Sequence, residues 1–290
     1  MKNYIASKLS IALNAPYTPK NDFVELYLNN EYLGVYLISE TIKPGKHRVK
    51  VQKKQDSFIA EVDSKHRENE TFFLSKDSLP IRIHYPKQCD SSCLALLSQH
   101  INDFETYLHH VGEFTKDLDT WIDIDDYITQ FWINEFTRNP DSPFNTSLYF
   151  TWEKDSLIKM GPAWDFDLAF GGHPKKYTRN TQGWSTIGNG WHGYFFRNTI
   201  FVSEVNEFFK RNKNHFESIQ DSIELYKKKI EKATINNFKR WDILESTTNV
   251  FHVASYKNYD EAVDSLKTWT KQRFDWVNNE IETSGVHQWK

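Results

Sequence analysis

A chain of 290 residues can bury a large core, as one domain or as two lobes around a cleft. Aromatic residues make up 16% of it, including 10 Trp, which excludes a disordered chain. The net charge of -3, with basic residues dispersed through segments such as "KVQKKQ" and "YKKKIEK", leaves no footprint for nucleic acid, and no apolar run approaches the roughly 20 residues that span a bilayer.

In chain order, the start "MKNYIASKLS" lacks the apolar centre of a signal peptide. The chain therefore reads as soluble, either cytoplasmic or a trimmed secreted or cell-surface domain. A short helix in "NYIASKLSIAL" precedes "FVELYL", a turn at "NNE" and "YLGVYLISE", two alternating runs that predict a β-hairpin in which Gly34 permits close approach. "SFIAEVD" and "LPIRIHYP" add strands around the polar loop "SKHRENE", so residues 1–88 read as a strand-rich lobe on a small antiparallel sheet. Cys89 and Cys93 exclude a disulfide framework; four residues apart at a helix start, they read more readily as free thiols than as a local bridge, and they are too few for structural zinc.

From Asp90 the period becomes helical, with Leu94, Leu97, Ile101, Phe104 and Leu108 on one face. "DIDDYITQFWINEFTRN" is apolar over most of its circumference, as a buried helix is, and two prolines in "RNPDSP" stop it. A short hairpin then leads into "WDFD" and a long aromatic, Gly- and Asn-rich loop to about Tyr194. The remainder is helical, with Phe216, Ile219, Ile223 and Ile230 as one stripe and Val263, Leu266, Phe274, Val277 and Ile281 as another. Strands first and helices afterwards predict an α+β fold in two lobes, with residues 89–290 as the larger, mainly helical one.

"KMGPAWDFDLAFGG" places Asp165 and Asp167 one residue apart. In an extended segment both carboxylates share one face, and Trp164, Phe166 and Leu168 share the other. Like charges on a half-buried face need a cation, which a divalent metal supplies; alternatively each Asp caps a turn or meets a basic side chain. The order "NPDSPFN", hairpin, "WDFD" matches phosphoryl-transfer sites, where one Asp meets the acceptor hydroxyl, an Asn nearby helps hold metal, and a second Asp after a hairpin binds the nucleotide's magnesium. Magnesium suits a few carboxylate or amide oxygens completed by phosphates and water. The "HRD", "DFG" and glycine-rich signatures of eukaryotic kinases are absent from the sequence.

The whole sequence resembles the CotH kinase family, named for the spore coat protein H. The resemblance rests on "VELYLNNEYLGVYLISETIK", "NPDSPFNTSLYF" and "KMGPAWDFDLAFGG", with "FIAEVD", "IRIHYP", "WHGYFFRNTIFV" and "WTKQRFDWV" in the same order. "GPAWDFDLAFG" is the specific element. The resemblance implies an atypical protein-kinase-like fold that transfers the γ-phosphoryl group of ATP to Ser or Thr of a protein substrate, with magnesium, or manganese or calcium. By position it implies that Asp141 orients or deprotonates the acceptor hydroxyl and that Asp165 holds the metal.

Asn145 and Asp167 are the further metal candidates, against Asn145 as a loop-backbone partner and Asp167 as a turn cap. Many relatives carry Lys before "YP" where this chain has His84. Arg82, on the same strand face, can hold a phosphate bidentately with His84 assisting, or can pair with a carboxylate; Lys43, Lys46 and Lys159 are alternative cations. Glu40 and Glu61 can each position the basic residue, Glu61 being otherwise solvent-facing, and Trp164 adjoins the metal motif as a nucleotide contact. His109, His110, His173 and His192 lack ligand spacing. Trp184, Trp191, Tyr194 and Phe195 form either a binding wall or lobe packing. Two other functions suit the same sequence: an inactive cell-surface binding or adhesion module, and nucleotidyl transfer from ATP.

Overall fold

The strand-forming runs make two antiparallel sheets in the computed structural model, which describes residues 1–110, 117–174, 176–245 and 254–286. The first alternating runs become β1 (Asn21–Leu28) and β2 (Glu31–Ser39). They turn at Asn29 and Asn30, both at positive φ, as a two-residue hairpin with right-twisted strands requires. The second sheet joins β3 (Ser57–Val62), β4 (Phe72–Leu74), β5 (Pro80–Tyr85), β6 (Leu148–Glu153) and β7 (Lys159–Met160) in the order β4-β5-β3-β6-β7.

The expected single sheet within residues 1–88 is therefore corrected: the larger sheet takes two strands from beyond that segment, and the hairpin stands apart. The hairpin is engaged elsewhere, by the helix α7 (Ile219–Arg240) and its end. Val35 N donates to Asn237 Oδ1 (2.8 Å) and Trp241 Nε1 to Leu33 O (2.7 Å). Gly34 serves this contact rather than an approach across the hairpin. A Cβ there would lie 2.8 Å from Asn237 Oδ1 and 2.9 Å from Trp241 Nε1, at a φ of +114° that side chains disfavour. Gly34→Ala is expected to cost about 1–3 kcal/mol; urea unfolding with an unchanged midpoint would contradict that.

β3 is central, and all six of its residues are buried. Its alternation sends Phe58, Ala60 and Val62 into the main core beside Ile81, Ile83, Leu148 and Phe150. The opposite face carries Glu61, which pairs in register with Arg82 on β5 and Tyr149 on β6. One side of the sheet is thus apolar and the other chemical, which is the arrangement that positions the site.

The helices are α1 (Lys2–Ala12), α2 (Ser91–His110), α3 (Ile124–Thr137), the short α4 (Lys176–Arg179) and α5 (His192–Phe195), α6 (Thr199–Glu217), α7 and α8 (Tyr259–Thr283). The expected Phe216–Ile230 stripe is split, because the chain breaks at Ser218 and leaves Phe216 on α6. α3 is the buried helix: Asp123 caps its start by accepting from Asp126 N, and every residue from Tyr127 to Thr137 is buried. It stops at Arg138 in the left-handed region, φ 49°. One continuous apolar cluster runs from Ile5 on α1 to Val286 beyond α8.

Cys89 and Cys93 are joined in a disulfide, correcting the expectation of free thiols. Asp90 explains the pairing: its side chain accepts from Cys93 N (2.9 Å) and its carbonyl from Leu94 N (2.9 Å), turning Cys89 back over the first turn of α2, 5.2 Å from Cys93 between Cα atoms.

Candidate functional site

The segment after α3 folds back on itself. Asn139 Oδ1 accepts from Asp141 N (3.2 Å), and Asp141 O accepts from both Asn145 N and Thr146 N (3.2 Å each). The two prolines stop the helix, and these bonds make the following residues a closed turn. Asp141 is consequently 6% exposed, recessed rather than the exposed carboxylate that a proline-flanked loop suggests.

β6 follows at once and ties this turn to the sheet. Ser147, at φ 57°, donates its N–H to Glu61 Oε1 (3.0 Å) and its hydroxyl to Asp165 Oδ2 (3.4 Å). After β7 the chain leaves the sheet at Gly161, so the "WDFD" segment is not a strand, and Asp165 itself lies at φ 64°. The alternation argument for one shared face fails for that reason. A non-Gly residue in this region marks local strain that surrounding structure must hold in place.

Asp167 and Asp141 nevertheless both act on Asp165. The Asp165 carboxyl, although exposed at one side, is pushed above its usual range, first by desolvation and then by Asp167 and Asp141, with Ser147 and Lys65 opposing. α1 closes the far side, a contribution that no pattern in the sequence signals. Asn3 Oδ1 accepts from Phe166 N (2.5 Å) and Lys2 Nζ donates to Asp167 O (3.0 Å). Burial pulls the Lys2 ammonium down to about 8, with Asp167 opposing.

The sheet face supplies a second pair of carboxylates. Glu61 is 5% exposed, not solvent-facing, because β3 is the middle strand; its Oε2 meets His84 Nε2 at 2.5 Å. Asp63, which sequence reasoning passed over, is equally buried and accepts from Lys65 N (2.9 Å), Thr146 Oγ1 (3.0 Å) and Arg82 Nη1 (3.3 Å). Arg82 also pairs with Glu70. Both cations proposed for phosphate are thus engaged by carboxylates. Glu40 does fasten a basic residue, Arg48, while accepting from Lys20 N (3.0 Å) and Tyr17 Oη (3.3 Å).

Asn145 is drawn toward the β3–β4 loop, where Ser64 Oγ donates to its Oδ1 (3.0 Å) and Ser64 N to its carbonyl (2.9 Å). Trp164 packs with Tyr17, Ile42, Val49, Ile59, Tyr85 and Tyr149 on the site face of the sheet. Beside it, a cavity of about 390 Å³ lined by Ser7, Asn21, Leu37, Ser39, Trp164 and Asp165 opens under the hairpin. Lys43 and Lys46 are exposed, and Lys159 lies 3.9 Å from Asp123.

The histidines are hydrogen-bonded side chains: His192 is buried against Tyr127 Oη (2.8 Å), which leaves its imidazole pulled down by burial to about 3, and His109 meets Asp77 and Tyr194. Trp191 and Phe195 are core residues, and Trp184 packs against Trp132 and Trp276. Among the described residues no three His, Cys, Asp or Glu side chains converge as a preformed metal cage. The exposed pair Asp165 and Asp167 leaves most of an ion's shell to phosphate and water, a donor set that fits magnesium rather than zinc or a protein-caged calcium.

A family model described as CotH kinase protein matches residues 1–277. The chain belongs to the CotH kinase family. The match runs from α1 into α8 and takes in all the residues named above except those beyond its limit, so the CotH assignment covers hairpin, sheet face and acidic turns together. Membership in CotH suggests a kinase-like function at the family level. A search of curated proteins gave no match. Among the described residues no helix is long and apolar enough to cross a membrane.

Proposed function

We propose that this CotH protein transfers the γ-phosphoryl group of ATP to a Ser or Thr hydroxyl of a protein substrate, using a divalent metal, at the face of the larger sheet where the turns carrying Asp141 and Asp165 meet it. The observation that carries the reading is that Asp165, which Ser147 ties to the turn carrying Asp141, is raised by both Asp167 and Asp141, inside a family match of nearly the whole chain.

A metal bound there would neutralise phosphate charge; Asp165 and Asp167 would hold it, with Asn145 close by on the same turn as Asp141. The nucleoside would enter the cavity beside Trp164, with Asn21, Ser39 and Ser7 as polar partners. Asp141 would accept the proton of the acceptor hydroxyl as its oxygen bonds to the γ-phosphorus and the bond to ADP breaks. Glu61 and Asp63 act behind this front, fixing Ser147, His84, Arg82 and Thr146.

Asp165→Ala should abolish metal-dependent nucleotide binding, measured calorimetrically with ATP in magnesium and in chelator. Undiminished metal dependence in the variant sinks the assignment. One observation favours the binding-module alternative: Arg82 and His84, the cations on the strand nearest the site, are committed to Asp63, Glu70 and Glu61.

A further inference from the structure

The loop between β3 and β4 supplies what Arg82 and His84 do not. We propose that Lys65 is the cation that contacts the transferred phosphoryl group, and that Arg82 is the residue positioning it. The inference rests on the phosphoryl-transfer reading and names its missing charge.

Three features of geometry carry it. First, the Lys65 backbone is fixed: its N–H donates to Asp63 Oδ1 (2.9 Å) in a turn closed by an aspartate side chain two residues back. Asp63 is itself locked by Thr146 Oγ1 and Arg82, and its own N–H by Pro80 O (2.8 Å). Second, the neighbouring Ser64 is bonded twice to Asn145, which joins the Lys65 loop to the turn that carries Asp141. Third, the Lys65 side chain is exposed, and among the described residues its ammonium makes no hydrogen bond or ion pair.

Four basic groups of the site are engaged by protein partners: Arg48 by Glu40, Arg82 by Asp63 and Glu70, His84 by Glu61, and Lys2 by the Asp167 carbonyl. An exposed ammonium on a fixed turn suits a group whose charge shifts during reaction. As the acceptor oxygen bonds to the γ-phosphorus and the bond to the ADP oxygen breaks, the hydroxyl proton passes to Asp141. Lys65 keeps its protons and offsets negative charge on the non-bridging oxygens. A Lys serves as a compact point charge here, whereas the planar Arg82 serves its two carboxylates.

The test compares Lys65→Met and Lys65→Arg with the wild type for γ-transfer, for ATP and ADP affinity in magnesium, and for melting temperature. Lys65→Met is expected to lose about 10²–10³-fold in turnover, to bind ADP as the wild type does, and to lose any preference for ATP over ADP; Lys65→Arg should recover part of both. A residue that only shaped the loop would lower the melting temperature and weaken ADP as much as ATP, which overturns the proposal. An active wild type with an unaffected Lys65→Met overturns the inference alone. A wild type that transfers no γ-phosphoryl overturns the functional reading and the inference together.

Discussion

Asp141→Asn is expected to lose about 10²–10⁴-fold in turnover while keeping its fold and its affinity for ATP. The main chain of this residue closes the turn: its N–H donates to Asn139 Oδ1 and its carbonyl receives Asn145 and Thr146 N–H. Asparagine retains both groups and nearly the same volume, so the turn should survive; what it loses is the ability to take a proton. Recession to 6% exposure makes the loss larger, because a general base shielded from water has no solvent substitute. Melting temperature, ATP affinity and turnover on one preparation separate the outcomes. A folded, ATP-binding variant with wild-type turnover removes Asp141 from the catalytic group, and a variant that loses stability and ATP binding together makes it structural.

Arg273→Ala is expected to destabilise the protein by about 3–5 kcal/mol, the cost of leaving one partner of a buried ion pair uncompensated. Arg273 on α8 and Glu135 on α3 have side chains of 0% exposure and meet at 2.7 Å. Glu135 also receives the N–H and hydroxyl groups of Ser185 and Thr186, at 2.7–3.0 Å. Arg273 in turn donates to the carbonyls of Thr181, Gly183 and Glu135, and Arg138 donates to those of Gln182 and Gly183. The set clamps residues 181–186 against the end of α3, four residues before Asp141. Arg273→Met combined with Glu135→Gln removes both charges and should be less destabilised than Arg273→Ala. Urea unfolding that shows less than about 1 kcal/mol for Arg273→Ala would contradict a buried pair.

The parts of this architecture legible in the sequence are those set by period. Alternation gave the β1–β2 hairpin, and the nearly continuous apolar circumference gave buried α3 with its stop at the prolines. The aspartates were legible as a group because their spacing and family motif single them out, although the strand supposed to align Asp165 and Asp167 is replaced by a turn after Gly161. What period cannot report is which strands neighbour one another. Glu61 and Asp63 read as solvent-facing or passed unnoticed because a carboxylate on an alternating strand looks exposed until β5 and β6 close on both sides. Lys65 lies in a loop whose charge pattern resembles any solvated segment. Its significance depends on Ser64 reaching Asn145 across 81 positions of sequence, and the Arg273–Glu135 pair spans 138.

The central claim is transfer of the γ-phosphoryl group, and it is tested most directly by incubating the protein and a Ser/Thr-containing protein acceptor with magnesium and ATP labelled separately at the γ and α positions. The account predicts label on protein from γ-labelled ATP, none from α-labelled ATP, and loss of the γ signal in Asp165→Ala. Label from the α position would instead identify nucleotidyl transfer. No label from either, from a protein that still binds nucleotide, would contradict the account and identify a binding module.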